Sequence, residues 1–470
     1  MSQDSANHTV VPPYAETQKR DRQSRPSIPR DANKVVEVPS TRDAISDASA
    51  FMHNLSFSPS MKDRRGSRNS FSTSLPIPRS PRVSRLSTAS RPSAVRRDIL
   101  AGQLQDLSKE KVAAVKNMAF AFDIDGVLVH GNNPIEEGKQ VLKILNGDNE
   151  LGIQFPYILL TNGGGKTEEA RCQQLSEILE QPVSTDQFVQ SHTPMQALAE
   201  YYDTVLVCGG EGYKIREVAE QYGFKNVIHP KDILAWDPTI SPCRRFTDEE
   251  RKDARPRDFA NLQFDAILCF AESFDAMTDL QIINDLLMSD NGKLLTRGKK
   301  GAEHIPIYFS QGDLLCPTEH KGPPRLHLGA FRLAVEAQYK ATSGQDLERV
   351  LYGKPERATY IYADEVMKSW MEQIHQQKTL PKNIYMVGDN PASDIIGGNL
   401  YGWNTCLVRT GVFQGGDNDE QNPANFGVFP NVLEAVKTAI RKELGQDFGF
   451  KWEPKINPVT HADSSSSAID

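Results

Sequence analysis

The amino-acid sequence predicts an α/β fold: a doubly wound parallel sheet with helices on both faces, and a second large α/β unit inserted into it. Three observations predict this. Short apolar runs recur along the chain and end in polar or glycine-rich residues, the pattern of strands buried on both faces. Helical stretches alternate with those runs, as parallel crossovers require. Finally, 192 positions separate Asn162 from Lys354, enough for an additional domain of common size.

The elements follow in order. Residues 1–105 are rich in Ser, Arg and Pro and lack hydrophobic periodicity, so they bury too little apolar surface to offset ordering entropy and are read as a disordered basic arm. Arg64-Arg65-Gly66-Ser67, Ser58-Pro59 and Ser80-Pro81 look like phosphorylation sites, but a linker of this composition contains such triplets by chance. The first part of the core is assigned to 106–184. In it, 119–123 (AFAFD) is a buried strand, Pro134 opens a helix over 136–145, 157–161 (YILLT) is a second strand and 166–179 a second helix. The inserted unit is assigned to 185–312, with strands over 204–208, 265–270 and 305–309. Pro306 confines the last of these to an edge or a strand start. The charged stretch 244–257 reads as a solvated loop. The core resumes over 313–448 with a strand at 383–388, a helix at 393–401, a strand at 404–408 and an amphipathic helix at 431–444. A Ser-rich tail, 449–470, is read as disordered.

Charge and composition exclude several classes of function. Residues 1–100 hold 17 Lys+Arg against 9 Asp+Glu, a balance of +8, so the remaining body carries −15 to give the net −7. That balance gives no support to a nucleic-acid partner. No run approaches the roughly 18 apolar residues of a membrane span, and no apolar signal-peptide core is present. Cys172, Cys208, Cys243, Cys269, Cys316 and Cys406 show no CxxC spacing and suit free thiols in a reducing compartment. An intracellular protein without an integral membrane segment is expected.

Ligands of a doubly wound sheet bind at the carboxyl ends of its strands. Four segments here carry the residues for it: Asp123-Ile124-Asp125-Gly126, Thr161-Asn162-Gly163, Gly353-Lys354-Pro355, and Gly388-Asp389-Asn390-Pro391-Ala392-Ser393-Asp394. Each alone is weak, because aspartates and glycines at strand ends often only cap turns. In this order they resemble the four motifs of the haloacid dehalogenase superfamily: DxD, Thr/Ser, Lys and GDxxxxD. The wording of the last motif is most similar to the class IIA hydrolases of the cat eye syndrome critical region family, including its fungal members. The resemblance covers about 112–445. Spacing supports the same subclass, since the 36 positions from Asp125 to Thr161 leave no room for a cap domain and the interval after Asn162 does.

The resemblance implies a phosphohydrolase acting on a small phosphorylated metabolite. Asp123 would attack phosphorus and form an aspartyl-phosphate, splitting one hard hydrolysis into two steps. An aspartate, with a reference pKa of about 3.9, needs no base to activate it. Asp125 would protonate the leaving oxygen and then deprotonate water. Asp123, Asp389 and Asp394, with the backbone carbonyl of Asp125, would hold Mg²⁺, a cation that prefers hard oxygen ligands. Thr161 and the Asn162 backbone amide would bind the phosphoryl group, and Lys354 would bridge it to Asp123. The resemblance also implies a mitochondrial location, with the cytoplasm as the alternative, a link to glycerophospholipid metabolism, and a homodimer through exposed cap faces. Asp4, Glu16 and Asp21 interrupt a presequence pattern in the arm.

Other features are read as structural. Gly163-Gly164-Gly165 and Gly209-Gly210-Glu211-Gly212 are turns before helices, His130 is an exposed loop histidine, and Gln311-Gly312-Asp313 is a turn. Two alternatives stay open: phosphoryl transfer to an acceptor other than water, and a catalytically silent interaction protein on the same fold.

Overall fold

A computed structural model describes residues 109–450; the arm 1–105, its phosphorylation triplets and the tail beyond 450 lie outside the described residues. Two parallel sheets organise the described chain. The first has six strands in the order Gly427–Phe429, Asn404–Val408, Asn383–Gly388, Met118–Phe122, Tyr157–Leu160 and Phe188–Val189. All its pairings are parallel. Met118–Phe122 lies near the centre because every position is apolar and both faces can be covered. Phe120 and Phe122, whose ring centroids are 5.7 Å apart, join the apolar cluster that includes Val141 and Val436 of the helices Glu136–Leu145 and Val432–Leu444. Ala119 and Ala121 point the other way, into a cluster with Tyr360, Met367 and Met371 of the helix Arg357–His375. Burying a large apolar side chain in this way contributes about 1.5–3 kcal/mol.

The first core helix has the expected bounds, Glu136–Leu145, but Pro134 does not open it. Pro134 pairs with Val129 in a short antiparallel ribbon instead of opening the helix. The Ile135 amide donates to Leu128 O at 2.9 Å, which extends the ribbon and makes Ile135 the N-cap of Glu136–Leu145. The segment expected as one helix over 393–401 is a π-helical turn, Pro391–Ile395, followed by Ile396–Tyr401.

The second sheet has five strands in the order Val350–Leu351, Ile307–Phe309, Ala266–Cys269, Thr204–Cys208 and Asn226–Ile228, again all parallel. Pro306 stands just before the first paired residue, where its missing N–H breaks no ladder and its carbonyl accepts from Ile267 at 2.9 Å. The boundaries 185 and 312 differ from those of this sheet. Phe188–Val189 pairs with Tyr157–Leu160 in the first sheet. Val350–Leu351 belongs to the second, and the helix Leu328–Ser343 buries Leu328, Val335 and Tyr339 with Ile307 and Phe309. A two-residue strand has no periodicity to read, and an amphipathic helix does not declare which sheet it covers. The stretch 244–257 is not wholly a loop. A Thr247/Glu250 capping box starts the short helix Asp248–Lys252, and Arg244 ties it to Asp275.

Among the described residues no helix is long and apolar enough to cross a membrane. The six cysteines are free, with Cys172, Cys208, Cys269 and Cys406 buried and Cys243 exposed.

Candidate active site

The strands of the first sheet run the same way, so the turns that follow them gather at one edge. Asp123 continues its strand by donating its amide to Val387 O at 2.9 Å, which sets it beside Gly388 and Asp389. The turn beyond it depends on Gly126. At φ +88° a side chain there would bring Cβ within 2.6 Å of Asp389 Oδ2. Thr161 likewise extends its strand, donating to Val189 O at 3.0 Å, and its hydroxyl accepts from Gly163 N at 2.9 Å.

Asn162 clamps the third motif from across the edge. Its Oδ1 accepts from Lys354 N at 2.7 Å, while Nδ2 donates to Lys354 O at 2.8 Å and to Asp313 Oδ2 at 2.9 Å. So close an approach requires Gly353, with φ +78°, since a Cβ there would lie 2.8 Å from Asn162 Oδ1 and 2.7 Å from Ser310 O. The clamp aims the Lys354 side chain inward. Its ammonium donates to Asp123 Oδ1 and Leu160 O, each at 2.8 Å, and lies 2.6 Å from Asp394 Oδ1. Burial alone would discharge this amine, but Asp123 and Asp394 more than offset that and hold its pKa above the ordinary lysine value.

Asp123, Asp389 and Asp394 converge so that one oxygen from each lies within 4.8 Å of the others. Asp389 Oδ2 accepts from Val412 N at 2.6 Å, and Asp394 Oδ2 accepts from Asn390 N at 3.0 Å. Burial first, then the neighbouring carboxylates, pushes Asp389 well above the usual range. Burial also lifts Asp394 to about 7, although Lys354 opposes the shift. A set of buried hard oxygen donors that raise one another's pKa could hold a divalent cation, whose charge relieves their repulsion.

Asp125 faces the open side of the edge. Burial pushes its carboxyl up to about 6, Arg171 opposes the rise, and Asp123 adds to it. Its side chain is still 28% exposed, and Arg171 Nη2 lies 3.7 Å from Oδ2. A carboxyl that titrates near neutrality beside a second carboxylate can serve proton transfer in both directions.

All seven residues singled out in the sequence therefore lie at this edge. Five of them (Asp123, Asp125, Thr161, Asn162 and Asp389) line a cleft of about 380 Å³ that residues of the second unit also wall. Lys354 and Asp394 are buried beneath it. Three readings need correction. Asp313 is not merely a turn residue: its carboxylate reaches Asn162 and lines the cleft, and burial raises its pKa. His130 is half-buried rather than exposed, with Nε2 2.5 Å from Thr410 O. Gly163 and Gly164 line the cleft as well as forming a turn.

Sequence reasoning missed Lys166, Arg171, Glu272 and His327, which also line the cleft. Glu272 and His327 form an ion pair. Although burial opposes it, the Glu272 carboxylate keeps the His327 pKa above its ordinary value. No local pattern marks these two, since 54 intervening residues separate them. Lys166 and Arg171 had a signal available, namely basic residues at the start of a helix, where cations are disfavoured.

Two family models match the chain: one described as haloacid dehalogenase-like hydrolase over residues 120–225, and one described as HAD-hydrolase-like over 351–435. The chain is 41% identical over 368 residues to a Schizosaccharomyces pombe protein named cardiolipin synthase (CMP-forming) / mitochondrial hydrolase fusion protein. That match covers 75% of this chain and only 59% of the relative. It is 40% identical over 349 residues to a mitochondrial hydrolase of Saccharomyces cerevisiae, covering 70% of this chain and 96% of the relative. A solved 4-nitrophenylphosphatase from Thermotoga maritima is similar at 18% identity and a TM-score of 0.44, covering 69% of this chain and 98% of that one.

Proposed function

The chain belongs to the haloacid dehalogenase-like hydrolases, and from that membership we propose that it is a Mg²⁺-dependent phosphatase acting on a small phosphorylated metabolite through a phosphorylated Asp123. The observation that carries the reading is the Asp123 carboxylate at the cleft floor, paired with the buried Lys354 ammonium at 2.8 Å and followed two residues on by an acid poised near neutrality.

In this mechanism Asp123 attacks the phosphorus in line with the ester oxygen. Lys354 keeps the carboxylate oriented and offsets charge that builds on the phosphoryl oxygens. The Thr161 hydroxyl and the Asn162 backbone N–H donate to the same oxygens. Asp125, protonated in part of the molecules near neutrality, delivers its proton to the leaving oxygen. It then takes a proton from the water that attacks the phosphorylated Asp123, which releases phosphate and restores the starting state. Mg²⁺, held by Asp123, Asp389, Asp394 and the Asp125 backbone carbonyl, would supply charge neutralisation for the transferring group. The second unit, by walling the cleft, limits access of bulk water.

Free phosphate is the readout. We expect the full chain to release it from phosphomonoesters only with Mg²⁺, and Asp123→Asn to release none. Equal release by the variant, or transfer to an added alcohol without free phosphate, would overturn the reading. The names of the two fungal relatives support a mitochondrial location, which subcellular fractionation tests. The fused relative further supports a substrate from glycerophospholipid metabolism.

A further inference from the structure

The start of the core helix Glu168–Leu179 places two cations in the cleft that phosphoryl transfer does not use. Lys166 Nζ donates to Gln174 Oε1 at 2.9 Å, and Arg171 Nη1 donates to the same oxygen at 3.0 Å. Gln174 is held for this role by donating its own Nε2 to Asn132 Oδ1 at 2.7 Å. Two positive charges thus converge on one neutral amide oxygen, an arrangement that costs repulsion and desolvation without a counter-ion.

The surrounding charges relieve it only in part. Asp125 lies 3.7 Å from Arg171, and its carboxyl is pushed up to about 6, so its charge is incomplete near neutrality. Glu211, the acidic group near Lys166 on the cap turn, is paired with Lys214. Among the described residues no carboxylate forms an ion pair with Lys166. Burial, then Arg171 and Lys214, hold the Lys166 ammonium below the ordinary lysine pKa. The helix does not explain these cations either, because its N-terminus carries partial positive charge.

Arg171 also locates the missing anion. If Asp125 protonates the leaving oxygen, a guanidinium 3.7 Å from its carboxylate stands a few atoms beyond that oxygen. We infer that Lys166 and Arg171 form a subsite for a second anionic group, a carboxylate or a phosphate, carried by the leaving group of the substrate. The guanidinium supplies a two-pronged donor and the ammonium a point charge, a pair suited to either oxyanion. The inference rests on the phosphatase reading for which side of the cleft receives the leaving group.

Binding tests it separately from turnover. Calorimetry on the full-length Asp123→Asn protein, in Mg²⁺ buffer, would compare 3-hydroxypropyl phosphate with its two counterparts in which the hydroxyl end is a carboxylate or a second phosphate. At least one counterpart should bind about tenfold more tightly than the neutral compound. Adding Lys166→Gln or Arg171→Gln should reduce that ratio to about threefold or less, with Lys166→Arg restoring it. Whichever counterpart shows the preference names the anion. Equal binding of all three compounds, or a preference that survives both glutamine substitutions, overturns the subsite. Failure of the phosphatase reading shows elsewhere, as absence of phosphate release by the unsubstituted protein.

Discussion

Replacing Lys354 by methionine removes a positive charge where little water can take its place. The Lys354 side chain is 1% exposed, and its partners Asp394 and Asp123 are 0% and 13% exposed. Deleting one member of a buried ion pair costs about 3–5 kcal/mol. Here two carboxylates lose the same partner, and a third lies within 4.8 Å, so the upper end of that range applies. For the 342 described residues the melting temperature should fall by roughly 5–7 °C. The deficit should depend on pH. Burial already lifts Asp394 to about 7 against the pull of Lys354, and losing Lys354 lifts it further. A carboxyl whose pKa is higher in the folded than in the unfolded chain binds more protons when folded. Its contribution to stability is therefore present at low pH and lost as pH rises through the folded value. Thermal denaturation in EDTA at about pH 5.5 and about pH 8 would show the variant nearer to wild type at the lower pH. A fall of less than about 3 °C at the higher pH, or a larger deficit at the lower, would refute the reasoning.

Three further outcomes follow from the same geometry. Asp125→Asn should slow single-turnover release of the alcohol from alkyl phosphates by about 10²–10⁴-fold and of nitrophenol from p-nitrophenyl phosphate far less, since nitrophenolate departs without a proton; equal losses in that first step would exclude the acid role. For the wild type, alkyl phosphate turnover limited by leaving-group departure should decline as pH rises above about 6, where Asp125 loses its proton, and a pH–rate profile checks this. Asp389→Asn removes one of three mutually repelling carboxylates, so its melting temperature in EDTA should rise while the Mg²⁺-induced increase shrinks. Gly353→Ala forces a Cβ to 2.6 Å from Gln311 Cβ at a positive φ; a loss of about 1–3 kcal/mol in urea denaturation is expected, together with reduced turnover as the Asn162 clamp shifts.

The core strands were legible because each is a run of apolar residues too short for a helix and closed by polar ones, a pattern that suits a strand buried on both faces. The motif carboxylates were legible for a related reason: Asp123, Thr161 and Asp389 directly follow such strands, so topology alone assigns them to one edge. The return of the chain from the second unit was not legible. Nothing in the Leu328–Ser343 helix distinguishes one apolar surface from another, and the Val350–Leu351 strand exists only because Ile307–Phe309 offers it an edge. The capping box at Thr247 and Glu250 is a local signal that marks the start of Asp248–Lys252 within the charged stretch.

What the sequence by itself determined is the fold class and the set of strand-end residues, because those depend on local polarity and on spacing along the chain, and the family, through the resemblance of its four motifs. Tertiary structure alone decided the charged lining of the cleft. Arg171 comes from a core helix and Lys166 from the turn before it, Asp313 and His327 from the segment returning from the second sheet, and Glu272 from a cap loop. Their charges acquire meaning only through distances across the cleft, such as the 2.9 Å from Asn162 to Asp313. Those distances are set by how two separately packed apolar clusters meet, a property that no contiguous stretch of residues encodes.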